Sequence, residues 1–151
     1  MAKITKASDD VTNAVQEVID KMGLTLYVRF SALHVSGQKQ LVKVAKVSPT
    51  TEYFNQKPDN IIVYVNEEIY DMLEQKQRMM LIANALYGIS YDDEKDKLNV
   101  IQPELGISLG GYQQYGSDLV DAAEAVQLAL QQLKERQEEE KNAKKKKKPN
   151  D

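Results

Sequence analysis

Ile61-Ile62-Val63-Tyr64-Val65-Asn66-Glu67-Glu68 and, a few residues on, Gln75-Lys76-Gln77-Arg78-Met79-Met80-Leu81-Ile82-Ala83-Asn84-Ala85-Leu86-Tyr87-Gly88-Ile89 are the two runs whose reading decides the fold. The first is a strand from Asn60 to Val65. It is apolar without alternation, as expected of a strand that is central or buried on both faces. Asn66 is placed to cap a helical region that reaches Ile89, with a break expected near Leu73 and Glu74. In the longer part, Met79, Met80, Ala83, Leu86 and Tyr87 recur at helical spacing and make an apolar face.

Upstream, Ser8 caps a helix over residues 8–22, with Asp9 and Asp10 in its first turn and Gly23 as its stop. Val11, Ala14, Val15, Val18 and Met22 form its apolar stripe. Residues 24–34 alternate as a strand, Ser36-Gly37-Gln38 turns, and Gln40 to Val47 is a second strand. So short a turn predicts an antiparallel hairpin. Pro49 to Asp59 reads as a loop.

Downstream, Ser90 to Lys97 is a charged connection and Leu98 to Ile101 a short strand. Pro103 to Gly116 is irregular or short-helical. Ser117 is the expected cap of a long final helix whose buried stripe is Leu119, Ala122, Ala123, Val126, Leu130 and Leu133. Strands gathered ahead of most helices predict an α+β fold, with a small, mostly antiparallel sheet of three to four strands packed with helices.

The 151 residues suit one domain, placed at residues 1–133. From Lys134 no apolar side chain larger than Ala143 appears, so residues 134–151 are expected to be a charged helical extension and a disordered, lysine-rich tail. Residues 141–151 hold six lysines and one acid. Taking these from 20 bases and 23 acids leaves 14 against 22, a net of −8 for residues 1–140. An acidic body argues against a phosphate-binding groove on it. The tail, Lys144, Lys145, Lys146, Lys147 and Lys148, is the candidate polyanion-binding element, with nonspecific nucleic acid as its partner. Its ordinary role is to solubilise, or to neutralise the acidic run Glu135 to Glu140.

The absence of cysteine excludes disulfides, thiolate metal sites and cysteine nucleophiles. No apolar run is long enough to span a membrane. The opening Met-Ala-Lys-Ile-Thr-Lys lacks a signal-peptide core, so the cytoplasm is the expected location.

The segment Ile61 to Gly116 resembles the phage metallopeptidases, a zincin-like family. The likeness lies in the strand and helix quoted above, followed by Tyr91-Asp92-Asp93-Glu94, Gln102-Pro103-Glu104-Leu105 and Tyr112 to Gly116. The family's helix carries His-Glu-x-x-His. A zincin needs two histidines four apart on one face to reach one Zn²⁺, with a glutamate beside the first as general base. On this helix those positions fall at Asn84, Ala85 and Gly88. Asn is a poor zinc ligand, Ala supplies no base and Gly has no side chain. The resemblance therefore implies a degenerate, non-catalytic member, phage-encoded and active in the host cytoplasm, with no cofactor and no metal. Without the resemblance, the same helix is a core helix with a glycine stop.

Other chemistry is thin. His34 is the only histidine and has no organised nucleophile or ligands around it, so it reads as structural. Asp92, Asp93, Glu94 and Asp96 lack the spacing of a Ca²⁺ loop and read as a solvated turn. Gly106, Gly110 and Gly111 lack the Lys-Ser/Thr that follows in a phosphate-cradling loop. The eight tyrosines are of more interest: Tyr is favoured at interfaces, though it is also common at the rim of any small core, which is the slightly favoured reading. Tyr91, Tyr112 and Tyr115 are the candidate interface residues, and the expected function is binding of a protein partner.

Overall fold

Ile61, Val63 and Val65 are all 0% exposed, and the need to cover them organises the architecture. The computed structural model describes residues 3–47, 59–92, 94–95, 97–100 and 107–147. In chain order the elements are β1 (Ile4–Lys6), α1 (Asp9–Lys21), β2 (Phe30–Val35), β3 (Val42–Lys46), β4 (Ile61–Val65), α2 (Glu67–Met72), α3 (Gln75–Leu86), β5 (Ile89–Asp92), β6 (Lys97–Val100), α4 (Leu109–Tyr115) and α5 (Ser117–Lys147). The fold is α+β, with a four-stranded sheet ordered β1-β2-β4-β3 and a separate two-stranded ribbon, β5-β6.

β4 pairs parallel with β2, from Phe30↔Ile61 to His34↔Val65, and antiparallel with β3, from Val42↔Val65 to Lys46↔Ile61. β1 pairs antiparallel with β2 at the other edge. α1 and α3 pack on each other, α1 touching β2 and α3 touching β3, while α5 lies against α3.

The hairpin expected across Ser36-Gly37-Gln38 does not form. Gly37 turns the chain with φ +80°, but β2 and β3 end up on opposite sides of β4. Only in the middle of the sheet are both edges of the most apolar strand paired and shielded from solvent, so its pairing outcompetes the local one. Polar side chains brace the crossing. Gln38 Nε2 donates to Gln40 O (2.9 Å) and Tyr64 O (3.1 Å), and Asn66 Nδ2 donates to Gln38 O (2.9 Å).

Strand structure begins at Phe30, not at residue 24. Leu24 N donates to Ile19 O and Val28 N to Leu24 O, so this stretch finishes the helix stop at Gly23 (φ +72°). Its alternation is not a strand face, for Leu26 is 85% exposed while Val28 is buried. β1 escapes sequence reading because all three of its residues are exposed and carry no periodicity. The first three residues of the expected charged connection, Ser90 to Asp92, belong to strand β5. The loop expected over Pro49–Asp59 lies, up to residue 58, outside the described residues, as do Ile101 and Pro103–Gly106.

The helices start where polar caps allow. Ser8 Oγ accepts from Val11 N (3.4 Å), and Asn66, itself buried, accepts from Glu68 N (3.1 Å) and Ile69 N (3.5 Å). The chain breaks at Leu73 and restarts at Glu74, whose N–H donates to Gln77 Oε1 (3.1 Å). Ser117 is not a cap: it is already the first residue of α5, and the turn before it is made by Gly116 at φ +59°.

Leu119, Ala122, Val126 and Ala129 are the buried side chains of α5, with Leu130 and Leu133 half-buried. From Lys134 to Lys145 every residue is exposed. The disorder expected of the lysine run is corrected here, since helix continues to Lys147. Glu, Lys, Gln and Ala are good helix formers, and lysines at a helix C-terminus offset its dipole. Lys148 lies outside the described residues. Nothing in 141–145 packs on the body, so deletion of residues 141–151 should shift the melting temperature by no more than about 2 °C. A thermal scan by circular dichroism checks this, and a larger drop would reveal a contact between the tail and the body.

Candidate functional site

α3 runs through the middle of the molecule, and Met80 through Leu86 are all buried. Asn84 is therefore a buried polar side chain, 5% exposed, that must find partners. Its Oδ1 accepts from Ser108 N (2.7 Å) and from Ser108 Oγ (3.0 Å). Ser108 Oγ in turn accepts from Gly111 N (3.1 Å), capping α4. Ala85 is buried and contributes only a methyl group, and Gly88 follows the helix end without a side chain. The position of the first metal ligand in the resemblance thus holds a residue whose acceptor is spent on the start of α4.

Two glycines let α4 lie flush on α3. A Cβ on Gly110 would sit 2.6 Å from Tyr87 Cδ1. One on Gly111 would meet Asn84 Oδ1 and Ser108 Oγ at 2.9 Å and Leu119 Cδ2 at 3.0 Å. The Tyr87 hydroxyl donates to Gln114 Oε1, adding a second tie. Held this way, α4 shows solvent its other side, on which Leu109 is 74% and Tyr112 53% exposed. They are three apart and so neighbours on one helical face.

The candidate tyrosines have different surroundings. Tyr112 is exposed on α4, whereas Tyr115 is half-buried and lines a cavity between α1, α3 and α4. Tyr91 stacks on Tyr27 with ring centroids 4.7 Å apart and planes at 25°. Sequence reading missed Leu109 and Ser108. The signal for the cap was present in Ser108, three residues before Gly111, whereas the exposure of Leu109 has no signature in sequence.

His34 is a brace. Glu67 N donates to its Nδ1 (3.1 Å), while Glu67 Oε1 accepts from Ser8 N (2.9 Å), so β2, α2 and the start of α1 are joined. Nδ1 also lies 3.3 Å from Val65 O. The Glu67 amide must donate, so Nδ1 is the acceptor of that bond, and Glu67 Oε2 lies 4.0 Å from it. Asp92 Oδ1 accepts from Glu94 N (3.1 Å) and Lys95 N (3.4 Å), which makes its turn a local hydrogen-bonded one. Asp93 and Asp96 lie outside the described residues. Among the described residues no three His, Cys, Asp or Glu side chains gather closely enough to hold a metal ion, and no helix is long and apolar enough to cross a membrane.

Comparison with protein-family models, curated proteins and solved structures returns no match. The resemblance to phage metallopeptidases therefore rests on the residues that carry it. Elemental analysis of protein purified without a metal-chelating tag should find no stoichiometric zinc, and one equivalent of zinc lost together with activity on chelation would overturn that expectation.

Proposed function

We propose that this chain is a non-catalytic binding protein on a degenerate metallopeptidase-like scaffold, phage-encoded and acting in the host cytoplasm, which contacts a protein partner through the outer face of α4. The observation that carries this reading is the use made of Asn84. Where a hydrolase of this kind would place a metal ligand, the buried side chain secures the first turn of α4. A rigid support for an exposed Leu and Tyr is what a binding surface needs, because little conformational freedom is lost when the partner docks. Tyr is also a favoured anchor residue.

Affinity capture from the producing or infected cell, read by mass spectrometry, tests the reading. Wild-type protein and residues 1–140 should retain one and the same partner. Leu109→Lys combined with Tyr112→Ala should weaken capture by about 30-fold or more, the loss of at least one strong anchor. Both positions are exposed, so the melting temperature of that variant should stay close to wild type. Equal capture by the double variant would remove α4 from the interface.

One observation favours a nucleic-acid reading instead. Lys141, Lys144 and Lys145 stand exposed on the part of α5 that has left the body. About five lysines on phosphates give a slope near −4 to −5 in log affinity against log salt, and dissociation constants no tighter than about 10⁻⁴ to 10⁻⁶ M at physiological salt. The acidic body weakens that contact further. Loss of the partner on removal of residues 141–151, or nanomolar binding to a specific duplex, would put this reading in place of the first.

A further inference from the structure

The cavity between α1, α3 and α4 has a volume of about 330 Å³. At roughly 30 Å³ per water it holds about ten water-sized groups, which is the low end for small-molecule sites. Its floor is apolar. Val18 and Ala83 are buried, and Met22 and Met79 are half-buried against the core.

The polar side of the cavity offers donors. The Tyr87 hydroxyl is committed to Gln114 Oε1, which leaves the Gln114 amide hydrogens as that residue's donors. Tyr115 also lines the cavity. Burial, reinforced by Tyr87 and opposed by Lys21, pushes its phenol above the ordinary range, so it remains a donor at neutral pH. Lys21 stands at the mouth, on the last turn of α1, with its ammonium 3.1 Å from Glu17. That pair is exposed on both sides and contributes little, so Lys21 can exchange Glu17 for a ligand at small cost. Donors and a positive charge above an apolar floor fit a negatively charged acceptor head on an apolar body.

We propose that this cavity binds a carboxylate carried on a small apolar body, of about ten non-hydrogen atoms in all, with Tyr115, Gln114 and Lys21 holding the carboxylate and Val18, Met22, Met79 and Ala83 the body. The inference goes beyond partner binding and does not depend on it, because the cavity and the exposed face of α4 use different residues. Two sources carry such a group: a free small acid, and the C-terminal residue of a peptide with an apolar side chain.

The test uses the full chain with methyl-labelled methionine, read by NMR. Titration with 3-phenylpropionate should move the Met22 and Met79 methyl signals saturably, with a dissociation constant on the order of 1 mM or tighter. The alcohol analogue, 3-phenylpropan-1-ol, should bind at least about five-fold more weakly, since it lacks the charge. Tyr115→Phe should weaken the acid by about ten-fold and Lys21→Gln by about three-fold. A short peptide ending in Phe, as free acid and as amide, separates the sources. Preference of the free-acid peptide over 3-phenylpropionate supports a chain terminus, and the reverse order supports a free acid. Absence of saturable shifts below about 10 mM, equal binding of the alcohol, or indifference to both substitutions overturns the proposal.

Discussion

Leu119→Ala should destabilise the protein by about 2–5 kcal/mol, the range for deleting a fully buried leucine, and lower the melting temperature by roughly 5–15 °C in a chain of this length. Leu119 is 0% exposed and is the first apolar residue of α5. Its Cδ2 lies 3.0 Å from where a Cβ on Gly111 would stand, so it fills the joint between α4 and α5. The other buried side chains of α5, Ala122, Val126 and Ala129, are smaller, which leaves Leu119 as the largest fully buried side chain of the helix. Leu128, 57% exposed on the same helix, supplies the control. Its replacement by alanine should stay within about 0.5 kcal/mol of wild type. Urea titrations of both variants decide the matter. Equal midpoints would mean that α5 is held by its small residues and not by Leu119.

Asn84→Ala should cost about 2–4 kcal/mol. The Ser108 amide would be left in a half-buried position without its acceptor, and stranding such a donor costs about 1–3 kcal/mol. The space left by the amide group adds a cavity contribution. Ser108→Ala is the milder change. It keeps the bond from its own amide to Asn84 Oδ1 and loses the two bonds of the hydroxyl, the one it donates to Asn84 Oδ1 and the one it accepts from Gly111 N, about 1–2 kcal/mol. Hydrogen exchange at the α4 amides should speed up more in Asn84→Ala than in Ser108→Ala. On the proposed function, Asn84→Ala also weakens partner capture at temperatures where the protein is still folded, because α4 is no longer held in place. Stability equal to wild type would show that the Ser108 amide finds another acceptor, and that Asn84 does not secure α4.

Among the corrections, the hairpin is the most instructive. The turn at Gly37 is real, but whether β2 and β3 pair is a competition that β4 wins from further along the chain, beginning at Ile61. Ser117 fails as a cap because Gly116 has already reversed the chain, and the preceding helix ends only one residue earlier. The lysine run illustrates the opposite error. Lack of apolar side chains predicts that a segment leaves the core, and it does. It does not predict that the helix stops, because helix propensity and charge pairing act locally along a chain already nucleated by the buried turns of α5.

By itself the sequence determined the α+β class, the central strand β4, the caps at Ser8 and Asn66 and the break at Leu73. Each of these is written in residue type and short-range periodicity: a β-branched run, an oxygen ahead of a helix. Strand order, the purpose of Asn84, the exposure of Leu109 and Tyr112 and the gathering of Lys21, Gln114 and Tyr115 around one cavity were decided only in the tertiary structure. They depend on which segments compete for the same buried surface, and on backbone approaches between residues as far apart as Asn84 and Ser108. Such choices are made by the whole core at once, and no local stretch of sequence carries them.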